Sequence, residues 1–461
     1  MNSNIRVETD SMGKINVPAS ALYGASTQRA VDNFPISGRS LPPRFITTLG
    51  LVKRACAEAN AELGRLEPAL AESIAAAAAE IAEGRLLEHF PLDVFQTGSG
   101  TSTNMNANEV IANRCSQIAG QPLGSKRPVH PNDHANCGQS SNDVIPTTLH
   151  VSAALSLRED LLPALQGLRT ALGEKATQWS DTIKLGRTHL MDATPITLGQ
   201  EFSGYERQIA KAIERVHRSI AALGELAIGG TAVGTGLNTD AAFGAAVCRI
   251  LSSHTGIAFR EAENHFEAQG GRDDAVEVAG QLCAIAAALT KVANDIRLLG
   301  TGPRAGLGEL QLPPTQPGSS IMPGKVNPVM SEMLVQTCHY AVGLCQTVTR
   351  CGQDGHLELN ATLPLIAHCL LTSIRCLANA SRTFATHCVE GLGADFKRCF
   401  DYAHNALGLA TLLNPHIGYD HAAKVAKTAH TDGISIKAAA LKLGFLDDAS
   451  LDEILWGENN R

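Results

Sequence analysis

Aromatic residues make up only 4% of this 461-residue chain. Sheets favour aromatic and β-branched side chains, so the shortage argues against a sheet protein. The wealth of alanine and leucine argues for helices. There are twelve cysteines but no C-x-x-C pair. That speaks against zinc and iron–sulfur ligand sets, which need clustered thiols, and the chain is too long for a small disulfide scaffold. Cys56, Cys248, Cys283 and Cys369 stand among apolar neighbours and read as buried free thiols of a reducing compartment. No basic run occurs, and 38 basic against 45 acidic residues leave a net charge of −7, so no nucleic-acid partner is expected. The N-terminal MNSNIRVETDSMGKINVP lacks the apolar core of a signal peptide and is not arginine-rich. No stretch of about twenty uncharged apolar residues occurs, so no membrane span is predicted. The expectation is a cytoplasmic globular protein.

What the sequence does have is helical spacing. Residues 44–66 read as a helix, and Pro68 suits the first turn of the next. A run over 141–178 carries Leu161, Leu165, Leu168 and Leu172 at four-three-four steps, with Pro163 expected to kink it. Residues 273–299 repeat the pattern through Ile285, Leu289, Val292, Ile296 and Leu299. Further helices are predicted over 195–222 and 329–390, the latter broken at CGQDGHLEL. Strand alternation is nearly absent, apart from short pieces near 5–20. This pattern predicts an all-α long-helix bundle, with surplus apolar faces suited to an oligomer. Three domains are expected: a mostly helical 1–140, a central bundle 141–394 and a small helical 395–461.

Four polar loops punctuate the helices: TGSGTSTNMNANE (97–109), HPNDHANCGQSSND (130–143), GRTHLMDATP (186–195) and GSSIMPGKVNP (318–328). Each lies at or near a helix start, where backbone N–H groups attract anions. Ser and Asn there are often mere caps, but four such loops together suit a ligand with two carboxylates. If that ligand loses a proton beside a carboxylate, the doubly charged intermediate needs a fixed cation and donors. Lys325, Asn327, Thr188 and Asn142 supply these. Ser319 can act as base only if Lys325 and backbone N–H groups stabilise its alkoxide, and His189 suits the acid. GGTAVGTG (229–236) reads as a turn between helices, without the preceding strand of a nucleotide loop. His130 and His134 are spaced like metal ligands, but the intervening Pro-Asn-Asp suits a turn.

These loops resemble the signatures of the fumarase/aspartase superfamily. GSSIMPGKVNP, GSGTSTNMNANEV, HPNDHANCGQSSND, GRTHLMDATPITLGQE and ELAIGGTAVGTGLNT follow in the expected order, from about Arg6 to Phe445. Within it the chain is most similar to the class II, iron-independent fumarate hydratases. YGASTQRA, the histidine of GRTHL and the NPHIGYDHAAKVAKTAH tail favour them over aspartate ammonia-lyases, the alternative on the same fold. The wording departs from the usual at Cys137, Gly138, His356 and Leu357. A non-enzymatic structural member is a remoter alternative, since no catalytic loop residue is missing.

The resemblance implies an all-α homotetramer with each site built from three subunits, and no metal or cofactor. It implies reversible hydration of fumarate to (S)-malate. Ser319 is then the base, His189 its acid/base partner, Glu332 the charge partner of that histidine, and Lys325 the catalytic cation. Ser99, Gly100, Thr101, Ser140, Ser141, Asn142, Thr188, Ser320, Lys325, Val326 and Asn327 hold the substrate, with Arg127 nearby. His130, Pro131, Asn132 and Asp133 match a second dicarboxylate site.

Overall fold

Proline and apolar spacing set where the helices lie. A computed structural model describes residues 4–457. Pro43 and Pro68 stand in the first turns of Pro43–Glu62 and Pro68–Ala82, where a missing N–H is not needed. The predicted 273–299 helix is Asp273–Leu299, and the 329–390 run divides into Val329–Gly352 and Leu363–Phe384. Ile285, Leu289, Val292, Ile296 and Leu299 are all buried.

Pro163 acts one turn before itself. Its ring nitrogen cannot bond back to the carbonyl four residues earlier. The backbone widens into a π turn over Leu157–Leu161, where the Leu162 N–H reaches Leu157 O. Ser141–Ser156 and Leu162–Gln178 flank that turn.

The described residues group into two compact units. The first comprises residues 4–163, 214–286 and 339–378; the second comprises 164–213, 287–338 and 379–457. In the first, Pro43–Glu62 packs against Pro68–Ala82, Ser141–Ser156 and Phe243–Thr255. Strands Ile5–Asp10 and Gly13–Pro18 pair antiparallel, from Ile5 with Pro18 to Asp10 with Gly13. Glu109, on Thr101–Ile118, accepts the backbone N–H groups of Gly24, Ser26 and Thr27 and the Thr27 hydroxyl at 2.6–3.1 Å. A carboxylate thus caps the start of Ala25–Asn33, where the helix dipole favours it. In the second unit, Leu413, Val425, Ile436 and Leu451 centre a separate small core built from Ala410–Ile417, Tyr419–Asp432, Ile436–Leu443 and Asp448–Trp456.

Two expectations need correction. The 186–195 segment is not a loop before a helix: Ile183–Thr188 and Met191–Thr197 form an antiparallel hairpin, and the next helix begins at Leu198. Lys184, Leu185 and Gly186 are buried in succession, so the strand shows no alternation. GGTAVGTG does follow a strand, the two-residue Glu225–Leu226, which pairs parallel with Arg260–Glu261 across helix Phe243–Thr255. By length and composition alone, Asp273–Leu299 and Leu363–Val389 would be apolar enough to cross a membrane. The chain itself buries 72% of the second one's apolar window but 44% of the first one's.

His150 gives the fold a pH dependence. It is buried on Ser141–Ser156, and its Nδ1–H donates to Glu225 O at 2.8 Å. Burial, helped by the positive Arg272, lowers its pKa from 6.5 to about 4. The unfolded imidazole takes up a proton near pH 6.5 while the folded one does not. Its contribution is therefore intact above pH 6.5 and is lost as pH falls towards 4, by up to about 3 kcal/mol. Denaturant unfolding at a series of pH values checks this. His150→Asn should flatten the loss between about pH 6.5 and 4, and an unchanged slope would assign the dependence to other groups.

Candidate functional site

The first unit brings two of the polar loops together. Gly100, with φ 74°, sits at the start of Thr101–Ile118. The left-handed conformation suits glycine, and a Cβ there would also strike the Ile145 side chain. Ser99 Oγ and Thr101 Oγ1 lie 2.9 Å apart at this helix start. Ser140 caps Ser141–Ser156: its side chain accepts the Asn142 N–H at 3.2 Å, while Asp143 accepts the Ser140 N–H at 2.9 Å. Asn104 Nδ2 donates to Ser141 Oγ at 3.1 Å and so ties the two helix starts. Both carry hydroxyls and N–H groups suited to a carboxylate.

GGTAVGTG serves this site from behind. Gly229 and Thr231 donate their N–H groups to Asp143 Oδ2 at 3.2 and 3.0 Å, and Asn142 Nδ2 donates to Ala232 O at 2.8 Å. The Gly229 and Thr231 N–H groups thus hold the carboxylate that closes the Ser140 cap.

His130, Pro131, Asn132 and Asp133 form the expected turn. His130 Nδ1 accepts the backbone N–H groups of Asn132 and Asp133, both at 3.2 Å, and the His130 N–H donates to His134 Nδ1 at 3.0 Å. Both Nδ1 atoms are therefore engaged by backbone N–H groups of the turn. Beside it lies a cavity of about 340 Å³ whose lining includes Pro131, Asn132, Lys126, Asn113 and Ser26. Arg127 is exposed, and its carbonyl accepts the Ser116 hydroxyl at 2.7 Å.

The second unit carries His189 and the Ser319 loop. His189 and Leu190 are the two central residues of the hairpin turn, with φ 57° and 61°. Two positive φ angles make a type I′ turn, normally the place of Asn-Gly. A histidine–leucine pair is strained there, and such strain concentrates at functional sites. Thr188, His189, Leu190 and Met191 are exposed. Beneath the turn the strand is pinned by buried charge. Lys184 Nζ lies 3.0 Å from Glu201 and 3.6 Å from Glu309, and Arg187 Nη1 lies 2.9 Å from Glu309.

The loop 318–328 folds back on itself. Gly318 lies so close to the Lys325 backbone that a Cβ would collide with its carbonyl, and Asn327 Nδ2 donates to Gly318 O. Ser319 Oγ accepts the backbone N–H groups of Met322 at 3.0 Å and Ile321 at 3.3 Å. Ser320, Lys325 and Val326 are exposed on the same loop. Glu332 stands exposed in the first turn of Val329–Gly352, and among the described residues no ion pair joins it to His189.

Sequence reasoning passed over Lys53, Asn136, Lys184 and Glu309, which support these loops from inside. A lysine in LVKRACAEA is the one signal that Lys53 gave: a charge on an otherwise apolar helix face.

A family model described as lyase matches residues 13–343, and one described as the fumarase C C-terminus matches 409–459. The class II fumarate hydratase of Caulobacter vibrioides is 50% identical over 453 residues, 98% of each chain. That of Chromobacterium violaceum is 51% identical over 452 residues, again 98% of each. The mitochondrial fumarate hydratase of Saccharomyces cerevisiae is 49% identical over 98% of this chain and 93% of its own. Among solved structures, the class II fumarase of Schistosoma mansoni superposes with a TM-score of 0.96 at 38% identity, covering 99% of this chain and 100% of its own. A fumarate lyase:delta crystallin from Brucella melitensis, bound to cobalt, gives 0.94 at 42% identity, with 98% of each chain covered. Motif order, helical architecture and near full-length identity agree: the chain is a lyase and belongs to the class II fumarate hydratases.

Proposed function

We propose that this hydratase interconverts fumarate and (S)-malate, in the tricarboxylic acid cycle, by proton removal next to a carboxylate. Ser319 takes the carbon-bound proton of malate, and the electron pair passes into the neighbouring carboxylate as an aci-carboxylate. The carbon–oxygen bond then breaks, and His189 gives the departing hydroxyl its proton, so that water leaves. Hydration runs the same steps backwards. The observation that carries this reading is the Ser319 oxygen held by two backbone N–H groups, a setting that stabilises an alkoxide. Lys325, six residues on in a loop folded back on Gly318, supplies the cation.

The helix starts at Ser99–Thr101 and Ser140–Asn142 seat the carboxylates, together with Thr188, Ser320, Val326 and Asn327. The cavity beside Pro131 and Asn132 supports a second dicarboxylate site at His130–Asp133, with Arg127 at its edge. Homotetramerisation, with three subunits at each site, fits the exposed Leu190, Met191, Ile321 and Met322 on the two loops and the half-covered Asp273–Leu299 helix. Glu332 then meets His189 from another copy. The three-part division at 140 and 394 belongs to the same reading, supported at its C-terminal end by the separate core around Leu413 and Leu451. We assign the protein to the cytoplasm, on the twelve free thiols, although the yeast and zebrafish relatives are named mitochondrial.

Purified protein should lower the ultraviolet absorbance of fumarate without added ammonium and after treatment with chelator. Turnover that appeared only with ammonium would assign an ammonia-lyase instead, and loss of activity to chelator would refute the metal-free reaction.

A further inference from the structure

Among the described residues, Lys53 is a buried cation with no carboxylate in contact. It stands in the middle of Pro43–Glu62 and is fully buried. Its ammonium donates to Asn136 Oδ1 at 3.1 Å and Gln139 Oε1 at 2.8 Å, both neutral amides. Among the described residues, no ion pair involves it. A lysine in such a place is costly unless its charge or its bonds serve something.

Its bonds lead directly to the Ser140–Asn142 helix start. Asn136 Oδ1 also accepts from Asn104 Nδ2 at 3.1 Å and Asn108 Nδ2 at 3.2 Å, and Asn136 Nδ2 donates to Gln139 O at 3.1 Å. Asn104 continues to Ser141 Oγ. Gln139 immediately precedes the Ser140 cap. Lys53 thus holds the turn 136–139 from below and, through Asn136 and Asn104, both helix starts of the first unit.

Its charge has a counterpart. The Asp143 carboxylate is fully buried under the same helix start, where it caps Ser140, Gly229 and Thr231. Left alone, that negative charge would oppose a second carboxylate arriving at the seat. We propose that Lys53 is a positioning residue for the carboxylate seat at Ser140–Asn142, holding the turn that builds it and offsetting the buried charge of Asp143. The proposal rests on the reading of that helix start as a carboxylate seat.

Two titratable groups act on the Lys53 charge, Cys56 on its own helix and Asp143 on Ser141–Ser156, while Cys137 on the 130–139 turn and Cys248 on Phe243–Thr255 act on Cys56. From the Thr101–Ile118 helix, the neutral amides of Asn104 and Asn108 donate to Asn136 Oδ1, the oxygen that also accepts from Lys53. Burial lowers the Lys53 pKa from 10.5 to about 8, and burial raises the Cys56 thiol far above its ordinary range. Lys53 is therefore the member of this group that loses charge as the solution becomes mildly alkaline.

The test measures succinate binding by calorimetry, and KM and kcat with fumarate, on the full-length protein. Succinate is fully ionised throughout the range. Wild-type affinity should fall as pH rises through about 8. Lys53→Met should bind succinate about tenfold more weakly at neutral pH, raise KM alike, leave kcat within about threefold, and lose the alkaline fall. Lys53→Arg should restore affinity and hold it past pH 8, because guanidinium keeps its charge. Succinate affinity unchanged in Lys53→Met overturns the proposal. If the methionine variant does not fold, the wild-type profile decides, and a flat profile from about pH 7 to about 9 overturns it. Ser141→Ala and Asn142→Ala separate the two ideas. If neither weakens succinate, the carboxylate seat itself is refuted. If both weaken it while Lys53→Met does not, the role of Lys53 alone is refuted.

Discussion

Ser319→Ala is expected to lower kcat by on the order of 10²-fold or more while changing dicarboxylate affinity little, since a general base acts in the transition state. The reason lies in the loop's geometry. The serine hydroxyl has a high ordinary pKa, and its alkoxide exists only where donors and cations surround it. The N–H groups of Ile321 and Met322 point at Ser319 Oγ, and the sharp return at Gly318 brings the Lys325 backbone alongside. At Gly318 the backbone comes so close to the Lys325 carbonyl that only a residue without a Cβ fits. Alanine keeps that backbone and removes one oxygen, so dicarboxylate binding should persist. Steady-state kinetics with fumarate and calorimetry with succinate check the split. A kcat within about threefold of wild type would show that Ser319 is not the base and reduce the loop to a lid.

The split between what the sequence reveals and what it hides follows from the range of the interactions. Helices written by repeated apolar spacing are legible: Asp273–Leu299 carries five buried seam residues at four-three steps, and its bounds agree with the reading. The hairpin Ile183–Thr197 is not, because buried Lys184, Leu185 and Gly186 break the alternation that marks a strand. The two-residue strand at Glu225–Leu226 is too short to show any period. The polar loops stand out because serine, threonine, asparagine and glycine cluster before helices, and the structure places two of them side by side through Asn104 and Ser141. Their supports stay hidden. Glu109, Lys53 and Glu309 act on residues 82–85, 83–86 and 122–125 positions away in the chain. Nothing in the residues next to them records such partners.

Glu309→Ala should cost about 3–5 kcal/mol of stability, because it strips the fully buried carboxylate from a buried charge cluster and leaves Arg187 without its anion. Glu309 is fully buried and Lys184 nearly so, at 0% and 1% side-chain exposure. Its carboxylate faces Lys184 at 3.6 Å and Arg187 at 2.9 Å, both on the strand that ends at Thr188. Its carbonyl accepts the Asp395 N–H at 2.9 Å, and the Arg187 guanidinium lies 5.5 Å from the centre of the Tyr402 ring. Alanine would keep the backbone bond and lose the charge. Glu201 still holds Lys184 at 3.0 Å, so the damage should centre on Arg187, one residue before Thr188 and two before His189. The turn at His189 and Leu190 is strained by roughly 1–2 kcal/mol per residue in the left-handed region, so it keeps its shape only while its strand is held. A loosened strand would let His189 leave that conformation. The variant should therefore lose turnover as well as stability, with kcat falling more than KM rises. Glu309→Gln, which preserves shape but not charge, should fall between wild type and alanine in both. Denaturant unfolding of the three proteins beside their kinetics tests the argument. An alanine variant within about 1 kcal/mol of wild type would show that the strand is held by its hairpin pairing and by Glu201, and that Glu309 is no anchor for His189.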